Sequence, residues 1–298
     1  MNIIKLFKPL HLMLFVFAML VFRYGYLEQQ PALLLALNHW QYLLLIMAFV
    51  LIGAGGALMD AISGPGKNGN TISEGKGYNI YGALNLIAVG IGYYLADIIG
   101  RGSFVAVFVL TACMLFISAT NFRQTILVGN TLISLCVSAA IMSIAVFNFY
   151  PFLQIIEIKA FYADSFLLLA CYAAIGFLLT MLYTMTKDMQ NMDTDYNNNK
   201  TTLPIAIGRD RAAKVVFGFS VVTIAAILIY INAYLVSLTY MLIYTLVFIV
   251  GPLIFFAIKV LGAKTQKDLS LLATVVKLVM ALTAISIMVL TYNIQNYA

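Results

Sequence analysis

Charge is what this 298-residue sequence has least of: 9% of its residues are Asp, Glu, Lys or Arg, where soluble domains carry about 25%. Apolar residues make up 63%, more than a water-soluble globule of this length can hide. Intrinsic disorder, which needs low hydrophobicity, is thereby excluded, as is a pair of soluble domains. Cysteine is scarce too. Cys113, Cys136 and Cys171 each lie inside an apolar run without CxxC or Cys/His spacing, which argues against a disulfide scaffold or a zinc site and for buried, inert thiols. Collagen repeats and outer-membrane strand patterns are missing as well. What remains is an all-α, multi-pass membrane protein.

A membrane span needs about 20 mostly apolar residues. Nine segments qualify, at roughly 9–26, 40–58, 80–98, 103–120, 126–148, 164–185, 213–233, 236–258 and 270–293. The first follows a basic start, as in a signal peptide, but ends in Phe22-Arg23-Tyr24 with no small-x-small cleavage site, so it reads as a retained helix. With the N-terminus on the cytoplasmic side, thirteen Lys and Arg residues fall on that side and three, Arg23, Arg101 and Lys159, on the other. This is the positive-inside bias, and it places the chain in the cell membrane. The net charge of +6 therefore reflects topology and contact with anionic lipids, not a nucleic-acid footprint.

Two cytoplasmic connections carry most of the polarity, near 59–80 and 186–212. The second holds four of the eleven carboxylates, Asp188, Asp193, Asp195 and Asp210. Loops of this kind on a rigid scaffold are where sites form, and the whole chain 1–298 reads as one domain beneath them. Asp188, Asn191 and Asp195 lie at i, i+3 and i+7, one face of a helix continued from the sixth span. Oxygen donors so spaced suit Mg²⁺ shared with phosphate; the same spacing describes a solvated acidic helix end. Lys200 and Arg209 follow, as phosphate contacts or as positive-inside anchors. Inside the spans, Asn85 and Asn130 are expected to bond helix to helix. Lys277 either snorkels to the interface or serves a site. His11 reads as an interfacial residue, and the aromatics from Tyr78 to Phe152 as belts and packing.

The stretch KDMQNMDTDYNNNKTTLPIAIG resembles the second aspartate-rich motif of the UbiA superfamily of intramembrane prenyltransferases. Lys187, Asp188, Asp195, Lys200, Thr202, Leu203, Pro204 and Gly208 match it in register, and Asn191 replaces the middle aspartate. Fainter matches are Lys8-Pro9, Gly55-Gly56, Thr71-Ile72-Ser73, Arg123 and Gly129-Asn130. The family's first motif, Asn-Asp-x-x-Asp-x-x-x-Asp, is degenerate here, since after Gly55-Gly56 only Asp60 survives as a carboxylate.

The resemblance implies a UbiA-like bundle and transfer of an isoprenyl chain from an isoprenyl diphosphate to a hydrophobic, lipid-like or aromatic acceptor, assisted by Mg²⁺. It implies catalytic roles for Asp188 and Asp195, a metal site of Asp188, Asn191 and Asp195, and substrate-binding roles for Lys200, Arg123, Lys67 and Asp60, the three basic residues among them meeting the diphosphate. The glycine-rich run Gly64–Asn70 is either a phosphate cradle or a tight turn. The degenerate first motif keeps a second reading open, a catalytically impaired UbiA-like protein that binds lipid. A transporter is a third, with no pair of repeated broken helices in its favour.

Overall fold

With no water to satisfy them, backbone amides in a bilayer must bond within their own segment, and the apolar runs accordingly fold as helices. The computed structural model describes residues 7–31, 33–63, 73–120, 125–153, 159–197 and 200–297. Twelve α-helices are present among them, and no strand. The elements are α1 (Pro9–Gly25), α2 (His39–Ile62), α3 (Glu74–Ile98), α4 (Val105–Ala119), α5 (Val128–Phe149), α6 (Lys159–Gln190), α7 (Met192–Asn197), α8 (Leu203–Ile207), α9 (Arg209–Tyr230), α10 (Thr239–Tyr244), α11 (Gly251–Val260) and α12 (Gln266–Tyr297). Among the described residues nine segments are long and apolar enough to cross a membrane, in the places the sequence predicts. This is a multi-pass membrane protein.

Local chemistry sets the ends. Pro9, which lacks the N–H a first turn would leave unsatisfied, opens α1. Asn38 and Gln41 exchange side-chain and backbone hydrogen bonds of 2.9 Å to begin α2, and Thr265 and Asp268 do the same ahead of α12. Gly208, at φ 85, joins α8 to α9 in a conformation that favours glycine. The helices overrun the predicted spans in places: α3 begins at Glu74, and α6 runs on to Gln190. The two spans between Arg209 and Val260 are less regular, with π-helical turns at Ile231–Leu235 and Thr245–Val250. Asn293 on α12 bridges that irregularity. Its side-chain oxygen accepts from Tyr240 N–H at 2.9 Å and Met241 N–H at 3.1 Å, capping α10 from across the bundle.

Side chains pack into two main apolar cores. One gathers α1–α5 with the first half of α6, around Tyr42, Phe108 and Phe147. The other gathers the second half of α6 with α9, α11 and α12, around Met185, Phe256 and Val276. Both α6 and α12 belong to both cores. Close approach within the first core needs Gly92, where a Cβ would strike the Phe108 ring. Cys113, Cys136 and Cys171 are free thiols, but only Cys136 is buried as expected; Cys113 lies on an exposed face of its helix, because an apolar run in a membrane helix also supplies the outward face. Asn85 departs from expectation, because its amide donates to the Tyr81 carbonyl of its own helix at 2.9 Å rather than to a neighbour.

Candidate functional site

The C-terminal ends of α2 and α6 and the N-terminal ends of α1 and α5 meet at one end of the bundle, and the chemistry-bearing residues meet with them. Asp60 sits in the last turn of α2 and Asp188 in the last turn of α6. A helix C-terminus carries partial negative charge, so a carboxylate there is held at a cost unless cations face it. Here they do. Lys8 Nζ lies 2.9 Å from Asp60 Oδ2. Lys200 Nζ lies 3.3 Å from Asp60 Oδ1 and 3.5 Å from Asp195 Oδ1, linking the two carboxylates.

The segment read as a loop near 186–212 is largely helical. Asn191 N–H bonds to Lys187 O at 2.9 Å and Asp195 N–H to Asn191 O at 2.8 Å, so the helical turn runs through the break between α6 and α7. That places Asp188 and Asp195 within electrostatic reach of each other, of Lys200 and of Asp60. Asp195 is buried, while Asn191 is exposed. Asp188 accepts a 2.7 Å hydrogen bond from Asn130 Nδ2 on α5, the helix-to-helix bond expected of that asparagine, made to a site carboxylate. Two non-glycine residues with positive φ, Lys8 (φ 48) and Leu127 (φ 63), stand just before α1 and α5. Such backbone costs about 1–3 kcal/mol and gathers at functional sites.

Of the residues singled out from sequence, Asp60, Asp188, Asp195 and Lys200 share one cluster. Lys67 and Arg123 lie outside the described residues, as do the run 64–70 and Thr71-Ile72. Arg209 points elsewhere, donating to the Lys264 carbonyl at 2.9 Å. Sequence reasoning did not connect His11, whose ring nitrogen meets Tyr183 Oη at 2.7 Å. The two residues are 172 positions apart, and no local pattern links them. A shallow depression formed by Met192, Asp193, Tyr196, Asn197 and Ile205 uses none of the cluster residues.

The donor chemistry of the cluster can be set against a divalent cation. All its acidic ligands are hard oxygens, the kind Mg²⁺ takes. Among the described residues no group of three His, Cys, Asp or Glu side chains can hold a metal ion alone. Mg²⁺ typically binds one or two carboxylates and completes its shell with water and substrate phosphate. Asp188 and Asp195 fit an ion held jointly with a phosphate ligand. Asn130 is then a supporting residue, and Asn130→Leu is expected to weaken Mg²⁺ binding about 10–100-fold with an unchanged melting temperature. Calorimetric Mg²⁺ titration and a thermal melt on one preparation check this.

No protein-family model and no curated protein matches the sequence. Solved structures do match the fold. A UbiA homologue from Aeropyrum pernix K1, in its apo form, superposes with a TM-score of 0.65 at 12% identity, over 90% of this chain and 94% of that one. A UbiA homologue from Archaeoglobus fulgidus bound to GPP and Mg²⁺ gives 0.60 at 12% identity, over 95% and 98%. A digeranylgeranylglyceryl phosphate synthase gives 0.60 at 15% identity, also over 95% and 98%. The chain therefore shares the fold of these UbiA homologues.

Proposed function

We propose that this protein is an intramembrane prenyltransferase, moving an isoprenyl chain from an isoprenyl diphosphate to a lipid-like or aromatic acceptor. The observation that carries the reading is the convergence of Asp60, Asp188, Asp195 and Lys200 at one end of a bundle with this fold. The solved neighbours bound to GPP or DMAPP with Mg²⁺ support it. The bias of Lys and Arg along the chain supports a cytoplasmic position for this end, in the cell membrane.

In the reaction, the bond between the isoprenyl C1 and the diphosphate oxygen breaks, and the diphosphate leaves with the electron pair. The acceptor nucleophile then bonds to C1 of the allylic cation, and the proton it sheds passes to the released diphosphate. Asp188, Asp195 and Asn191 would hold Mg²⁺, which when bound would supply charge neutralisation of the leaving group. Lys200 holds its ammonium between Asp60 and Asp195, where it can hand hydrogen bonds to diphosphate oxygens. Lys8 secures Asp60, and Asn130 orients the Asp188 carboxylate. The apolar helices offer a polyprenyl chain walls resembling its own hydrocarbon and keep water from the cation.

One observation favours a second reading. Asp60 is engaged by both Lys8 and Lys200, and the aspartates that would accompany it in a full first motif are absent from the sequence. A lipid-binding protein without catalysis would look the same. Incubating the purified protein with a panel of isoprenyl diphosphates, with and without Mg²⁺, separates the two. Mg²⁺-dependent diphosphate release in the presence of a lipid acceptor is expected, and binding with no release from any donor overturns catalysis.

A further inference from the structure

The second core holds a small space that the transfer chemistry above does not use. Its walls come from α6, α9, α12, α10 and the π turn that follows α10, and its volume is about 10 Å³. Every residue lining it is buried. Three isoleucines make the apolar part, while Tyr172, Tyr230, Thr245, Thr283 and Ser286 bring five hydroxyl groups, with Met241 beside them. Along α6 the space lies about 24 Å from Asp188, at 1.5 Å per residue from Tyr172.

The backbone explains why these groups face one another. Pro252 has no N–H to continue the helical ladder, and just ahead of it Gly251 N–H bonds to Leu246 O, five residues back. The π turn Thr245–Val250 that results presents Thr245 and Ile249 to the space. The second π turn, Ile231–Leu235, begins directly after Tyr230. Such turns are frequent at functional sites.

A hydroxyl has one proton to give and two lone pairs with which to accept, so the five can be counted. Thr245 Oγ1 donates to Met241 O at 2.8 Å, Thr283 Oγ1 to Val279 O at 2.8 Å and Ser286 Oγ to Thr283 O at 2.7 Å. With the Ser286 proton spent, Tyr172 O–H is the donor in its 2.7 Å bond to Ser286 Oγ. Four hydroxyls have thus used their protons and keep lone pairs. The fifth differs. Tyr230 is 9% exposed, and its Oη is buried with no hydrogen-bond partner among the described residues.

A guest that answers this count accepts from Tyr230 and donates to the other walls. A hydrocarbon end does neither and leaves a buried hydroxyl unpaired. A cation meets no carboxylate among the lining residues. Water does both, and a site needs roughly 10–15 Å³ and 2–4 polar partners to hold one. We propose that this cavity binds one water molecule, which accepts a hydrogen bond from the Tyr230 hydroxyl and donates to hydroxyl oxygens of the facing helices, holding α9 to α6 and α12 beside the two π turns. The water site stands or falls independently of the prenyltransferase reading.

Synchrotron X-ray footprinting of the purified full-length protein tests it, because radicals made from a bound water oxidise the side chains around it even where bulk solvent does not reach. Met241 and Met19 are each 1% exposed, but Met19 does not line the cavity. Tyr42 is fully buried and donates to Met19 O at 2.7 Å, so its hydroxyl needs no water. Met241 and Tyr230 are expected to oxidise severalfold faster than Met19 and Tyr42. Rates no higher than those of Met19 and Tyr42 overturn the site and leave a dry cavity. Tyr230→Phe, which keeps the ring, is expected to slow Met241 oxidation severalfold. Unchanged Met241 oxidation in that variant, with its thermal melt intact, overturns the site in favour of solvent seeping between helices. The wild-type comparison decides the matter by itself where the variant fails to fold.

Discussion

Asp188→Ala combined with Asp195→Ala is expected to lower Mg²⁺-dependent diphosphate release by on the order of 10⁴-fold, to the limit of detection. Each group that stabilises developing charge in a dry site is worth roughly 10²–10³-fold, and in the proposed mechanism the two carboxylates would hold the cation that meets the leaving group. The single variants divide the effect in an informative way. Without Asp195, Lys200 keeps its other partner, Asp60, at 3.3 Å, and the acidic cluster shrinks without losing its shape. Without Asp188, the Asn130 amide loses its acceptor, a small cost for a half-buried group that water can reach. Asp188→Asn separates charge from packing, and it is expected to be as inactive as Asp188→Ala. Stability moves the other way. Asp188 opposes the dipole of its own helix end, so neutralising it leaves the melting temperature unchanged or slightly raised. Diphosphate release and thermal melting on the same preparations read both effects. Undiminished release by the double variant removes this cluster from the mechanism.

The second large effect lies at the opposite end of the bundle, where α1 ends and α2 begins. Arg23 is 3% exposed. Its guanidinium donates to Glu28 Oε1 at 2.7 Å, to Asn148 Oδ1 at 3.1 Å and to the Leu37 carbonyl at 2.8 Å. It also lies 4.7 Å from the centre of the buried Tyr42 ring. Breaking a buried, fully bonded charge network costs about 3–5 kcal/mol, so Arg23→Ala is expected to destabilise the protein by that amount. Arg23→Lys is expected to rescue little. One ammonium group cannot reproduce a planar fork with three separate acceptors and a stacked ring. Glu28→Gln tests the same network from its wetter side, and because Asn148 and Leu37 still hold the guanidinium, its cost is expected to be smaller. Chemical denaturation in mild detergent measures all three. A loss under about 1 kcal/mol for Arg23→Ala, the range of an exposed pair, refutes the network as a structural anchor.

These two ends were unequally legible from sequence. Membrane helices announce themselves, because composition and length are the constraint itself, and the nine segments lie where the apolar runs do. The Asp188–Asn191–Asp195 spacing also survives as helical geometry, since the turn continues across the break at Asn191. The helicity of the polar stretch after Gln190 was less readable, because Asn and Asp compete for backbone bonds and so resemble a loop. Arg23 looked like a boundary marker on the far side. Its burial depends on Glu28 turning back within a few residues and on Asn148 arriving from 125 positions away. The same holds for His11, Tyr183 and Lys277, which come from three helices. Periodicity identifies the inward face of each helix but not which inward residues coincide in depth, and packing alone decides that.

The sharing of α6 and α12 between two separately packed cores has a consequence for how the cores are tied together. A molecule assembled this way resembles two blocks on a pair of common spars. Each block packs within itself, and α6 and α12 are the helices common to both. Asp60 rides on α2 of one block, and Asp195 follows α6 toward the other. Lys200, paired with both carboxylates, therefore adds an electrostatic tie to the two helices that the blocks already share.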